Sequence, residues 1–109
     1  MYLIVGLGNP GNNYALTRHN LGRQVLDLLA ERWQGNFSEQ KKLAAQIATT
    51  EFAGEKIILC RPTVYMNDSG QTIKTVAKFY KIKSKHLIVL YDDLDLIFGR
   101  IKLAINNSS

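Results

Sequence analysis

The chain has 109 residues, the size of one domain, with 46% apolar side chains and no apolar run that approaches bilayer-spanning length. Its formal charge of +5 and isoelectric point near 9.5 favour an anionic partner such as nucleic acid, while a single cysteine, Cys60, excludes an internal disulfide framework and a thiolate metal cluster. With no basic-then-apolar leader at the N-terminus, these features predict a cytoplasmic globular protein with no membrane partner.

Tyr2 to Gly6 is a short continuous apolar run, which reads as a buried parallel strand. It feeds into Gly6-Leu7-Gly8-Asn9-Pro10-Gly11-Asn12-Asn13-Tyr14-Ala15-Leu16-Thr17-Arg18-His19-Asn20, a stretch dense in turn-forming and chemically active residues. Gly6, Gly8 and Gly11 satisfy the G-x-G-x-x-G spacing of a dinucleotide site, in which a helix opens at the glycines. Here Pro10 and a polar segment up to Asn20 intervene before any helical periodicity, and Asp27 and Glu31 fall within the first helical pattern rather than closing a second strand. A nucleotide-binding module is therefore the weaker use of these glycines.

Asn20 is a candidate N-cap for a helix with Leu21, Val25, Leu28, Leu29 and Trp33 at helical intervals, ending near Gln34-Gly35. Asn36 to Lys42 is polar and reads as loop. Ala44 to Phe52 and Lys56 to Arg61, joined by Ala53-Gly54-Glu55, predict an antiparallel hairpin. After Pro62, Thr63-Val64-Tyr65-Met66-Asn67 leads to Asp68, an expected N-cap with Gln71 three residues on as in a capping box. Ile73, Val76, Ala77 and Tyr80 form the inner stripe of a second helix reaching about Lys81, and Lys74, Lys78, Lys81 and Lys85 recur on its other side.

Leu87 to Leu90 is a second buried-strand run ending in Tyr91-Asp92-Asp93-Leu94-Asp95, and Ile101 to Ile105 reads as a last short strand. Strand, helix, hairpin, helix and strand in this order predict one α/β domain over 1–109 with a mixed, mainly parallel sheet flanked by helices. Three loops carrying His19, Asn67 and Asp92 each follow a strand-like segment, and they are expected to converge on one edge if the sheet is wound in the usual way.

A histidine near its ordinary pKa serves as a general base, and a carboxylate on its other ring nitrogen fixes the tautomer and steadies the imidazolium. His19 and Asp92 are candidates for that pair, with Asn9 and Asn67 as carboxamides that orient a carbonyl or stabilise an oxyanion. No serine is placed as a nucleophile, so the chemistry would use water. The same residues also have structural uses: histidine as a cap or surface group, asparagine in the turns themselves, and Asp92, Asp93 and Asp95 as solvated loop carboxylates without metal-ligand spacing. His86, beside a lysine-rich segment, is read as structural.

Three strings occur in order: Leu3-Ile4-Val5-Gly6-Leu7-Gly8-Asn9-Pro10-Gly11 with Tyr14 and Thr17-Arg18-His19-Asn20-Leu21-Gly22; Pro62-Thr63 with Tyr65-Met66-Asn67 and Ser69-Gly70; and Asp92-Asp93-Leu94-Asp95-Leu96 with Gly99 and Lys102. Together they resemble bacterial peptidyl-tRNA hydrolase. The resemblance implies a monomeric, cytoplasmic, metal-free and cofactor-free enzyme that hydrolyses the ester of peptidyl-tRNA and recycles the tRNA. It implies that His19 activates water, that Asp92 orients His19, and that Asn9 and Asn67 hold the peptide and the scissile carbonyl. Tyr14 and Tyr65 would line the substrate cleft, and Lys102 would meet the tRNA backbone. It covers Tyr2 to about Lys102; Ile97-Phe98 stands where the family favours proline, and Ala104 to Ser109 does not continue into the family's His-Asn-Gly segment, lid and C-terminal helices. The chain is thus expected to be C-terminally truncated relative to the family and to self-associate through exposed sheet surface. The alternative is a non-catalytic tRNA- or partner-binding remnant of that fold.

Overall fold

A computed structural model describes residues 1–8, 21–64, 68–92 and 101–105. Strand β1 (Tyr2–Gly6) lies between β4 (Glu55–Pro62) and β5 (Leu87–Asp92) and runs parallel to both, with Ile4 opposite Leu59 and Ile88. Helix α1 (Leu21–Arg32) covers one face of these strands and α2 (Ser69–Phe79) the other. Alternate residues therefore enter different cores. Ile4, Ile57, Leu59 and Leu90 pack with Leu26 and Ala30 under α1, whereas Leu3, Val5, Ile58, Cys60 and Leu87 pack with Val76 under α2. Burial on both faces is why β1 and β5 read as continuous apolar runs.

Outside this parallel centre the pairings are antiparallel. Strand β3 (Ala45–Phe52) pairs with β4 across a tight turn in which Ala53 and Gly54 both have positive φ (53° and 81°), the backbone of a two-residue hairpin. Strand β2 (Ser38–Gln40) pairs with β3, and β6 (Ile101–Ile105) pairs with β5, giving the order β2-β3-β4-β1-β5-β6. The sheet is mixed as expected but not mainly parallel: β1 pairs in parallel with β4 and β5, while the β2-β3, β3-β4 and β5-β6 pairings are antiparallel, because hairpin and edge strands flank the parallel centre.

The segment expected to be loop, Asn36 to Lys42, departs from that expectation. It contains β2 and a 3-10 turn, Lys41–Leu43. All three side chains of β2 are exposed, so this edge strand is held by backbone pairing and leaves no apolar alternation to read. Asp68 departs too. It precedes α2 at φ −103° and ψ 0°, helical rather than extended, and makes no side-chain capping bond, so no capping box forms with Gln71. Both helices end in a left-handed residue, Gln34 (φ 58°) and Lys81 (φ 57°). The Gly35 amide donates to the Ala30 carbonyl at 2.7 Å and the Ile82 amide to the Ala77 carbonyl at 2.8 Å, closing each helix with a Schellman motif.

Candidate active-site edge

Because β4, β1 and β5 run in one direction, their carboxyl ends share one edge of the sheet. Gly6, Pro62 and Asp92 end these strands, and ligands of open α/β sheets bind outside such ends. The chain leaves β1 at this edge, where the Leu7 amide donates to the Leu90 carbonyl at 2.9 Å. It returns there at the start of α1. A Cβ built on Gly22 would lie 2.2 Å from the Leu90 carbonyl oxygen and 3.0 Å from that of Leu7, and one on Gly6 would lie 2.7 Å from the Gly22 carbonyl oxygen. Only glycine permits this contact between the first turn of α1 and the ends of β1 and β5.

Strand β4 leads to Thr63, whose amide donates to the Ala44 carbonyl at 2.9 Å, and α2 opens shortly beyond with Ser69 and Thr72 buried. Strand β6 re-enters at the same edge, setting Ile101 opposite Asp92 and Lys102 opposite Tyr91. The backbone thus brings together Asp92, Lys102 and the flanks of the other two motif segments. Asn9, Tyr14, His19, Tyr65 and Asn67 lie outside the described residues, and Asp92 and Lys102 are placed by their backbone.

The described side chains narrow the chemistry in other ways. Burial pushes the Cys60 thiol up to about 12, so it stays protonated in the α2-side core and is no nucleophile at neutral pH. The His86 ring packs on Tyr2 with centroids 4.4 Å apart, at the opposite end of β1, which fits its structural reading. Among the described residues no group of three or more His, Cys, Asp or Glu could hold a metal ion. Gly6 lies under the described part of α1, where an added Cβ would sit 2.7 Å from both the Gly22 carbonyl oxygen and the Leu26 Cβ, so this glycine serves helix-sheet packing.

One cluster near this edge escaped the sequence reading. Arg61, next to last in β4, donates from Nη1 to Asp27 Oδ1 at 2.7 Å and from Nε to Gln46 Oε1 at 2.9 Å, with its guanidinium 3.9 Å from the Phe37 ring centroid. Burial and the neighbouring Arg61 lower the pKa of Arg23, against the opposing pull of Asp27. The i, i+4 spacing of Arg23 and Asp27 was a readable signal; nothing in the sequence pointed to Arg61.

A family model described as peptidyl-tRNA hydrolase matches residues 3–109. The peptidyl-tRNA hydrolase of Mycobacterium tuberculosis (strain ATCC 25618 / H37Rv) is 53% identical over 103 residues, covering 94% of this chain and 54% of that protein. The one from Mycobacterium avium (strain 104) is 50% identical over 103 residues, again across 94% of this chain and 54% of the relative. Among solved structures, peptidyl-tRNA hydrolase from Acinetobacter baumannii superposes with a TM-score of 0.84 at 36% identity, over 88% of this chain and 49% of that one. The chain spans about half the length of the curated relatives it matches.

Proposed function

The chain belongs to the peptidyl-tRNA hydrolase family, and from that premise we propose that it hydrolyses the ester joining a peptide to the 3′-terminal ribose of tRNA. The observation that carries this reading is the shared edge: three parallel strands end side by side, and each leads into one of the three motif segments. In this reading His19 takes a proton from water as the water oxygen adds to the ester carbonyl, and Asp92 accepts the other imidazole N–H and steadies the imidazolium. Asn9 and Asn67 donate amide hydrogens to the peptide and the oxyanion. Collapse breaks the bond to the ribose oxygen, which recovers the proton from His19. Tyr14 and Tyr65 line the cleft, and Lys102 meets the backbone of the tRNA.

The test is hydrolysis of N-blocked aminoacyl-tRNA by the chain beside His19→Gln and Asp92→Asn. Loss of about 10²–10⁴-fold in rate with tRNA binding retained is the expected outcome for removing a general base. Equal rates in wild type and His19→Gln remove His19 from the mechanism. The half-length match favours one second reading, a tRNA-binding remnant without turnover, which salt-sensitive binding with no ester cleavage selects. The hydrolase reading carries a cytoplasmic location with it. Strand β6 has no second neighbour among the described strands, which supports self-association of the chain along that edge.

A further inference from the structure

The chain's positive charge is not spread evenly. Residues 69–91 hold five lysines, Lys74, Lys78, Lys81, Lys83 and Lys85, and no carboxylate; taking these five from the 14 cations leaves nine, which the nine Asp and Glu balance. The whole excess of +5 therefore belongs to α2 and the turn that follows it. All five lysines are exposed. Helix α2 packs against the 3-10 turn that presents Lys41 and Lys42, also exposed, and between them lies an open groove of about 450 Å³ lined by Leu43, Gln71, Lys74, Thr75, Lys78 and Phe79. Phe79 is 63% exposed in the midst of these cations. Lysines beside an open aromatic face are the composition of a surface that holds a phosphate backbone and packs a ribose or base.

We propose that this α2 face is the docking surface for the body of the tRNA, with the ester at the strand-end edge where α2 begins. The inference rests on the hydrolase reading for the identity of the polyanion. Eleven residues of helix carry the lysines about 16 Å down the flank of the domain from that edge, so a substrate reacting at one end is gripped along its stem. Contact through phosphates makes the grip independent of tRNA sequence and dependent on salt.

The experiment measures binding of labelled tRNA by the chain as a function of salt for Lys74→Gln/Lys78→Gln and for a control with the same change in net charge, Arg32→Gln/Lys56→Gln, at exposed sites off this face. The α2 pair is expected to weaken binding at least tenfold at low salt and to make the log-log salt slope shallower by about two, with little change in the control. Equal losses in both variants, or no tRNA binding by the wild-type chain, overturn the proposal. So does competition by polyglutamate that matches competition by tRNA, which would mark an acidic-protein site. Hydrolysis of N-blocked aminoacyl-tRNA by the same variants is measured alongside. If the wild-type chain binds tRNA through the α2 pair but leaves that ester intact, the hydrolase reading fails and the docking surface stands.

Discussion

The two helices do the same architectural task with opposite surface chemistry. Each covers one face of the β4-β1-β5 centre and each has a glycine as its second residue, Gly22 in α1 and Gly70 in α2. Gly22 presses on the carbonyl oxygens of Leu90 and Leu7, while a Cβ on Gly70 would meet nothing within 4 Å. Outward, α1 joins Asp27 to Arg61 in an ion pair, whereas α2 carries lysines with no acid among its residues. Covering a sheet constrains only the inner side of a helix. The outer side is free to differ, and here one helix is fitted closely to the strand ends while the other is given over to charge.

The sharpest break of this pairing is Gly22→Ala against Gly70→Ala. At Gly22 the added methyl meets backbone, not a flexible side chain, so α1 must lift from the edge; a loss of about 2–3 kcal/mol is expected, of the order seen for overpacked cores. At Gly70 the methyl enters open space and the unfolded chain loses freedom, so stability rises by about 0.5 kcal/mol. Denaturant melts of the two variants decide it. If Gly22→Ala melts like wild type, the close approach is not what seats α1.

That difference between equivalent glycines was not legible in the sequence, because helical spacing reports which residues face inward and not how near the backbones come. The buried strands were legible, since Leu3-Ile4-Val5 and Leu87 to Leu90 need apolar side chains on both faces. The hairpin was too, through Ala53-Gly54. Strand β2 was invisible because it is all polar, and Asp68 misled because a good capping residue caps only from an extended backbone. For the candidate site, the motif strings marked the segments and strand order alone set the shared edge; parallel pairing of β1 with both β4 and β5 is a long-range fact that local patterns do not encode.

Beneath α2, Cys60 offers a test in pH. Its folded pKa of about 12 lies above the unfolded value near 9, so the buried protonated thiol favours the fold fully below pH 9. That contribution is lost progressively between about pH 9 and pH 12, as the unfolded thiol ionises and the folded one does not. Cys60→Val lacks this loss, so the difference between wild-type and variant melting temperatures should shift in the variant's favour above pH 9 and stay constant below it. A difference unchanged up to pH 11 would mean the thiol is not desolvated. Thiol reagents at pH 8 should label Cys60 only on unfolding.

The smallest effect distinguishes the outer faces directly. Asp27 is about half exposed, and Arg61 keeps its bond to Gln46 and its stacking on Phe37 when the carboxylate goes, so Asp27→Asn should cost under about 1 kcal/mol. What remains is Arg23 beside Arg61 with no carboxylate between them, a repulsion that salt screens. The cost should therefore shrink in high salt. On α2 the sign reverses: Lys74 and Lys78 stand one turn apart, like-charged neighbours at i, i+4, so Lys74→Gln, which leaves the favourable last-turn charge of Lys78 in place, should stabilise by a few tenths of a kcal/mol in low salt and by less in high salt. Melts of both variants at two ionic strengths separate the helices. Two changes of the same sign would mean that α1 and α2 do not differ in the electrostatics of their outer faces.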